Sequence, residues 1–549
     1  MKRGFLFLFI LCISSLVSGQ KDRYYGKQTE ADKWRGALRK ERTCFDVRFY
    51  HLDIQEIRFD QKSIRGSVRM QADIVEKTKR IQLDLFPEMQ IESIRMDQGP
   101  LSYKRIYGAI LIDLDRVYMP GEKIELEIAY GGQPKIAVNA PWDGGFTWTK
   151  DEYGRPWMAV SCQGMGASLW WPNKDHLSDE PDSMRISVVQ LSDSLWSVSN
   201  GTFLGQKKVN EKTINDFKVS YPINNYNVSL YVGHYSYFEE MTMQGEEELG
   251  LGYLVIEGNE NKAKKHFEMV PEMLDCFHTY FGPYPFPKDG FSLVEAPFAG
   301  MEHQSAIAYG NQYQKGYLGN DYSGIGLDFD FIIVHEAGHE YWGNHVSVKD
   351  ISDLWIHEGF CTYAEVLYVE CVYGKEKALD YIHFKRNMVM HNAPLISPAN
   401  RNAEPTADIY TKGALFLHTL KSIPEKEEVF LEVLKSIQQK FGGKTISTQD
   451  ILQSFSMAYK RDLSPIFDAY LRQVELPQID YSIVQRDGKN FVKARWVNVG
   501  KKFAMPAYYT YGDKKRKVEL RTVWKYFDLG PHNSVQWDDR KQYIKINKE

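Results

Sequence analysis

From residue 44 to about 239, apolar and polar residues alternate. VRFYHLDIQEI, SIRGSVRMQADIV and KIELEIAYGG each place apolar side chains at every second position, the period of a strand with one buried face. Asn200-Gly201, between the apolar pieces LWSV and FLG, reads as a hairpin turn. This stretch is expected to form a β-rich first domain. Near Leu254 the period lengthens: Lys262 to Phe281 sets Phe267, Val270, Leu274 and Phe277 on one helical stripe, and Pro271 within it predicts a kink or a late start. FGPYPFP is a loop of proline-restricted backbone leading to a strand at FSLVEA. Helical spacing then dominates through EVFLEVLKSIQQKF and SPIFDAYLRQ, as far as Pro477. After Pro477 alternation returns in YSIVQ, FVKARWVNV, KVELRTVWKYF and KQYIKIN, enough for one small domain of the β-sandwich type.

The first residues change this picture. MKRGFLFLFILCISSLVSGQ sets Lys2 and Arg3 ahead of an apolar run from Phe5 to Val17, with a small residue at Gly19. That is the pattern of a secretory signal peptide, too short for a membrane span. The expected organisation is therefore an α+β multidomain chain: signal peptide 1–19, β-rich domain 20–245, helix-rich domain 246–477 and β-sandwich domain 478–549. Cys12 lacks the preceding small residues of a lipoprotein signal, so a soluble exported protein is expected, in the periplasm or outside the cell. Beyond Cys12 the chain holds Cys44, Cys162, Cys276, Cys361 and Cys371, an odd set without a C-x-x-C pair, and no disulfide framework is expected. The net charge of -4, with both signs interspersed, gives no electrostatic case for nucleic acid or an anionic membrane.

The chemistry concentrates in FIIVHEAGHEYWGNHVSVKDISDLWIHEGFCTYAE, from Phe331 to Glu365. On a helix, positions four apart share a face, so His335 and His339 can offer two imidazole nitrogens to one metal ion, with Glu336 beside them. The apolar FIIV ahead of them suits a buried helix. A catalytic zinc ion takes three protein ligands and keeps a fourth position open. Glu358 is the natural third ligand: it lies on a second apolar segment, Leu354 to Leu367, whose spacing also suits a helix, and Gly359 would let another helix approach closely. These residues point to a hydrolase with one zinc ion per chain and Glu336 as general base.

Several separated motifs resemble one family, the gluzincin zinc aminopeptidases typified by aminopeptidase N. The eighteen residues between His339 and Glu358 match its spacing, and DLWIHEGF is similar to its D-L-W-L-N-E-G-F. AGMEH, Ala299 to His303, resembles its G-x-M-E-N exopeptidase motif. IYTKGALFL around Tyr410 resembles its Y-x-K-G-A segment, and the likeness extends to SCQ at Ser161 to Gln163, DEP at Asp179 to Pro181, and FGPYP. The resemblance implies a saddle-like β domain, a thermolysin-like catalytic domain and a β-sandwich, without the large helical C-terminal domain of many relatives. It also implies site roles. Glu302, with Gln163 as a second acceptor, would bind the free ammonium of a peptide, and Gly300 would lie along the substrate backbone. Tyr410 would stabilise the transition state, and Glu365 would hydrogen-bond a zinc histidine. The chain departs from the family pattern at Ala299, His303, Tyr341 and His357, which touches substrate placement but no metal ligand. His345 and His357 read as structural or solvent-facing histidines. The activity implied is removal of N-terminal residues from peptides. A thermolysin-type endopeptidase and a non-catalytic peptide-binding relative are the alternatives.

Overall fold

The computed structural model describes residues 29–549, apart from positions 98, 322, 327, 328 and 404. The signal-peptide expectation at 1–19 lies outside these residues. The fold is multidomain α+β. Its first part is built on an eight-stranded sheet whose central strands, Phe45–Arg58 and Ser63–Ile74, pair antiparallel over nearly their whole length. Their burial alternates residue by residue, as the period-two pattern requires: Tyr50, Leu52 and Ile54 are buried on one strand, and Val68, Met70 and Ala72 on the other. A three-stranded and a four-stranded sheet complete this part. Trp170 and Trp171 are fully buried within its core.

Asn200-Gly201 does not turn a hairpin. Trp196–Val198 pairs with Tyr231–Gly233, whereas Thr202–Val209 pairs with Lys212–Val219 in a different sheet. The true hairpin tip is Asn210-Glu211, both at positive φ. Asn200 is instead a buried brace, donating to the carbonyls of Asn227 at 2.9 Å and Gln304 at 2.8 Å while Ser229 N–H donates to its Oδ1 at 2.6 Å. Tertiary hydrogen bonds, rather than turn preference, select an asparagine there.

The hairpin Tyr235–Gln244 and Glu247–Ile256 carries the chain into the helical part, and both its strands belong to a five-stranded sheet there. The expected boundary at 245/246 thus falls at the tip of that hairpin. Gly300–Met301 forms an edge of the same sheet, antiparallel to Ile307–Tyr309. Pro271 has the effect expected of it: a helix ends at His266, and the next, Met269–Phe281, carries the proline in its first turn, where the missing N–H costs nothing.

Three helices position the site. The motif helix, Phe331–Tyr341, begins where buried Asp330 accepts the N–H of Ile333 at 3.2 Å. The carboxylate helix, Trp355–Tyr373, is buried along most of its length. The tyrosine helix, Asp408–Ser422, crosses the carboxylate helix so closely that a Cβ on Gly359 would lie 3.1 Å from Gly413 Cα. The C-terminal part pairs its strands in a four-stranded and a three-stranded sheet, and its Trp496, Met505 and Tyr543 share one continuous core with the helical part.

One disulfide departs from the cysteine reading. Cys276 on the helix Met269–Phe281 bonds to Cys371 near the end of the carboxylate helix, across 95 residues of sequence. Spacing could not show it, because packing of two distant helices brings the sulfurs together. Cys44, Cys162 and Cys361 are free and buried.

Candidate metal centre and active site

The motif helix and the carboxylate helix bring three ligand atoms together. His335 Nε2 and His339 Nε2 are 3.3 Å apart, and Glu358 Oε2 lies 3.5 Å from the first and 3.4 Å from the second. The edges of a tetrahedron whose corners sit about 2.0–2.1 Å from a zinc ion are roughly 3.3–3.4 Å long. Each imidazole is turned by its other nitrogen: His335 Nδ1 faces Glu365 Oε1 at 2.8 Å, and His339 Nδ1 faces the carbonyl of Trp342 at 3.0 Å. Both Nδ1 atoms are thereby donors, and both Nε2 atoms present lone pairs to the same point. Glu358 Oε2 is buried without a hydrogen-bond partner. Two lone pairs and an orphaned carboxylate oxygen converging in a buried space fit a zinc ion.

Glu365 is itself braced. Its second oxygen accepts from the Tyr381 hydroxyl and from Lys385 Nζ, the latter at 2.9 Å, so that a fully buried lysine–glutamate pair stands behind His335.

Around these ligands lie the other residues singled out from the sequence. Glu336 projects from the motif helix toward the edge strand, and a Cβ on Gly300 would come within 2.5 Å of its Oε1. Gly300 therefore leaves room for the carboxylate as well as for any chain lying along that edge. Burial pushes the Glu336 carboxyl up to about 8, against the pull of His335 and His339. Carboxylate oxygens of Glu302 and Glu336 and a ring nitrogen of His339 lie within 4.8 Å of one another. Gln163 arrives from the first β domain, its amide nitrogen donating to Glu358 Oε1 at 2.7 Å and to the Tyr410 hydroxyl at 3.4 Å. The ring of Tyr410 lies face to face with that of His335, 5.9 Å between centroids. Burial, then the charges of Glu358 and Glu302, hold its phenol proton on well above the usual range.

His345 is a structural residue, its Nδ1 2.8 Å from Gln438 Oε1. His357, fully buried, does not face solvent: Val348 N–H donates to its Nε2 at 3.0 Å, and its Nδ1 is 3.4 Å from the Tyr226 hydroxyl. Tyr226 in turn donates to Glu302 Oε1 at 3.1 Å. No local pattern singles out Tyr226 in the sequence, since its partners are 76 and 131 positions away.

Two hollows flank the cluster. One begins at Gln163, Glu302 and Tyr226 and runs under the N-terminal helix Glu30–Gly36, past Leu177 and Ile351 to Arg35 and Asp175. The other is an open cleft on the side of Ala299, walled by Trp142, Tyr313 and Tyr317.

Comparison with known proteins agrees with this geometry. Residues 265–470 match the peptidase family M1 domain. Leucyl aminopeptidase of Saccharolobus solfataricus is 24% identical over 311 residues, 54% of this chain and 39% of the relative. Endoplasmic reticulum aminopeptidase 1 of Mus musculus is 23% identical over 287 residues, 50% of this chain and 30% of the relative. The chain thus spans less than half the length of these curated relatives. Among solved structures, an M1 zinc metallopeptidase from Deinococcus radiodurans bound to a Tyr-Ser-Ala substrate superposes with a TM-score of 0.66 at 22% identity, over 79% of this chain and 95% of that one. The fold is that of the M1 metallopeptidases, and the chain resembles the aminopeptidase N family of gluzincins.

Proposed function

We propose that this chain, which carries a peptidase family M1 domain, is an exported zinc aminopeptidase that removes N-terminal residues from peptides, with one zinc ion per chain. The observation that carries the reading is the placement of a second buried carboxylate, Glu302, within 4.8 Å of Glu336 and His339. A zinc ligand set alone serves endopeptidases equally well. A carboxylate beside it supplies a charge-assisted partner for a free ammonium and closes the non-primed side.

His335, His339 and Glu358 would hold the ion, which supplies an acidified water and polarises the scissile carbonyl. Glu336, beside the two imidazole ligands on the motif helix, would accept the proton of the attacking water and pass it to the leaving amine. Tyr410 would donate its hydroxyl to the oxygen on which negative charge develops. Glu302 would hold the ammonium, together with Gln163 Oε1, since the nitrogen of that amide is already directed at Glu358. The first side chain of the peptide would enter the hollow beneath the N-terminal helix, and the rest of the chain would leave through the cleft beside Ala299.

Export is supported by the Cys276–Cys371 disulfide, a bond that persists in oxidising compartments. Among the described residues no helix is long and apolar enough to cross a membrane. The test is metal dependence on a panel of aminoacyl coumarin amides. Activity lost to a chelator and restored by stoichiometric zinc is the expected result, and undiminished hydrolysis by chelated, metal-free protein would contradict it.

A further inference from the structure

Three buried groups stand in line behind Glu302. Because Val348 N–H donates to His357 Nε2 at 3.0 Å, that nitrogen carries a lone pair and the ring proton sits on Nδ1. Nδ1 is 3.4 Å from the Tyr226 hydroxyl, which is 3.1 Å from Glu302 Oε1. A phenol has a single proton to give. With the imidazole N–H directed at it from one side, it gives that proton to the carboxylate on the other. The hydrogen bonds therefore run in one direction, from the strand Val346–Val348 through the carboxylate helix and the first β domain to the edge of the site. Tyr226, His357 and Glu302 are all buried, and Tyr226 is the side chain that donates to the Glu302 carboxylate.

We propose that Tyr226 and His357 are positioning residues that fix one oxygen of Glu302 and so aim the other at the substrate's ammonium. The proposal rests on the amine-binding reading of Glu302. A glutamate side chain has rotamer freedom to lose on binding, and a carboxylate held beforehand loses less of it when the ammonium arrives. The function is one of alignment, so the relay should act on substrate affinity and leave the chemical step alone.

Steady-state kinetics of the zinc-loaded full chain separate the possibilities, using the aminoacyl coumarin amide that the wild type hydrolyses best. Glu302→Gln should raise KM on the order of ten- to a hundred-fold, the worth of a hydrogen bond to a charged group. Tyr226→Phe should raise KM about three- to ten-fold with kcat within about two-fold. Added to Glu302→Gln, it should change KM by less than about two-fold, because it acts only through the carboxylate. His357→Asn, which keeps a donor near the Nδ1 position, should retain the wild-type KM, and His357→Leu should match Tyr226→Phe. Zinc content and Tm establish that each variant is folded, and if His357→Leu is not, Tyr226→Phe alone and in the Glu302→Gln background decides the matter. An unchanged KM in Tyr226→Phe, or an effect that multiplies with that of Glu302→Gln, overturns the relay. An unchanged KM in Glu302→Gln overturns the amine-binding reading itself.

Discussion

Gly359 and Gly413 touch backbone to backbone: a Cβ on Gly413 would lie 2.9 Å from Gly359 Cα. This contact sets the carboxylate helix against the tyrosine helix and brings Tyr410 beside the ligand set. Gly413→Ala must push the two helices apart, and overpacking of this kind costs about 1–3 kcal/mol. We expect a lowered Tm and a lowered kcat with zinc retained, because all three ligands lie on the motif and carboxylate helices, whose packing against each other does not involve Gly413. Tyr410→Phe is the companion variant. It should lower kcat by on the order of 10²–10³ with Tm and KM little changed, and a Phe variant with near-normal kcat would reduce Tyr410 to a packing residue.

Glu336→Gln should abolish turnover while still binding one zinc per chain, since the account makes this carboxylate a proton carrier. Glu358→Ala should lose the metal, because two imidazoles alone hold zinc weakly. Metal analysis of the purified variants checks both. Equal zinc depletion in the two would show the roles to be misassigned.

Glu365 faces both His335 and the buried Lys385. Glu365→Gln removes the negative charge from that pair, and breaking a buried pair typically costs about 3–5 kcal/mol. It should also weaken zinc binding about ten- to a hundred-fold, by loosening the orientation of His335. Competition with a chromophoric chelator measures the affinity, and a wild-type value would sink this role.

The Cys276–Cys371 bond closes a loop across 95 residues of sequence. Chain-entropy arguments put the gain for a loop of about 100 residues at up to about 4.7 kcal/mol. Reduction, or the double variant Cys276→Ser with Cys371→Ser, should lower Tm with zinc still bound at low temperature. An unchanged Tm would mean that helix packing alone holds these ends together.

What could be read from the sequence was local. The spacing of His335 and His339 follows from the helical repeat, and Gly359 announced a close helix contact because no other residue leaves such room. Strand alternation located the β-rich first part and the C-terminal sheets. What escaped depends on distant partners. Asn200-Gly201 carries a turn preference that buried hydrogen bonds to Asn227 and Gln304 override. Cys276 and Cys371 are unremarkable until two helices pack. Tyr226 is one tyrosine among 34, and nothing local distinguishes it or His357, because the group that connects them to the site is Glu302 in a third segment. Periodicity records which face is buried, and it carries no record of which buried polar groups meet.

The account turns on Glu302 and the free ammonium, so the most direct measurement is kcat/KM for one aminoacyl coumarin amide and its N-acetylated twin. Acetylation removes the charge and leaves the side chain and scissile bond in place. Loss of a charge-assisted contact worth about 1.5–3 kcal/mol predicts a fall of about ten- to a hundred-fold or more. Equal kcat/KM for the two substrates would contradict the aminopeptidase reading and leave an endopeptidase in its place.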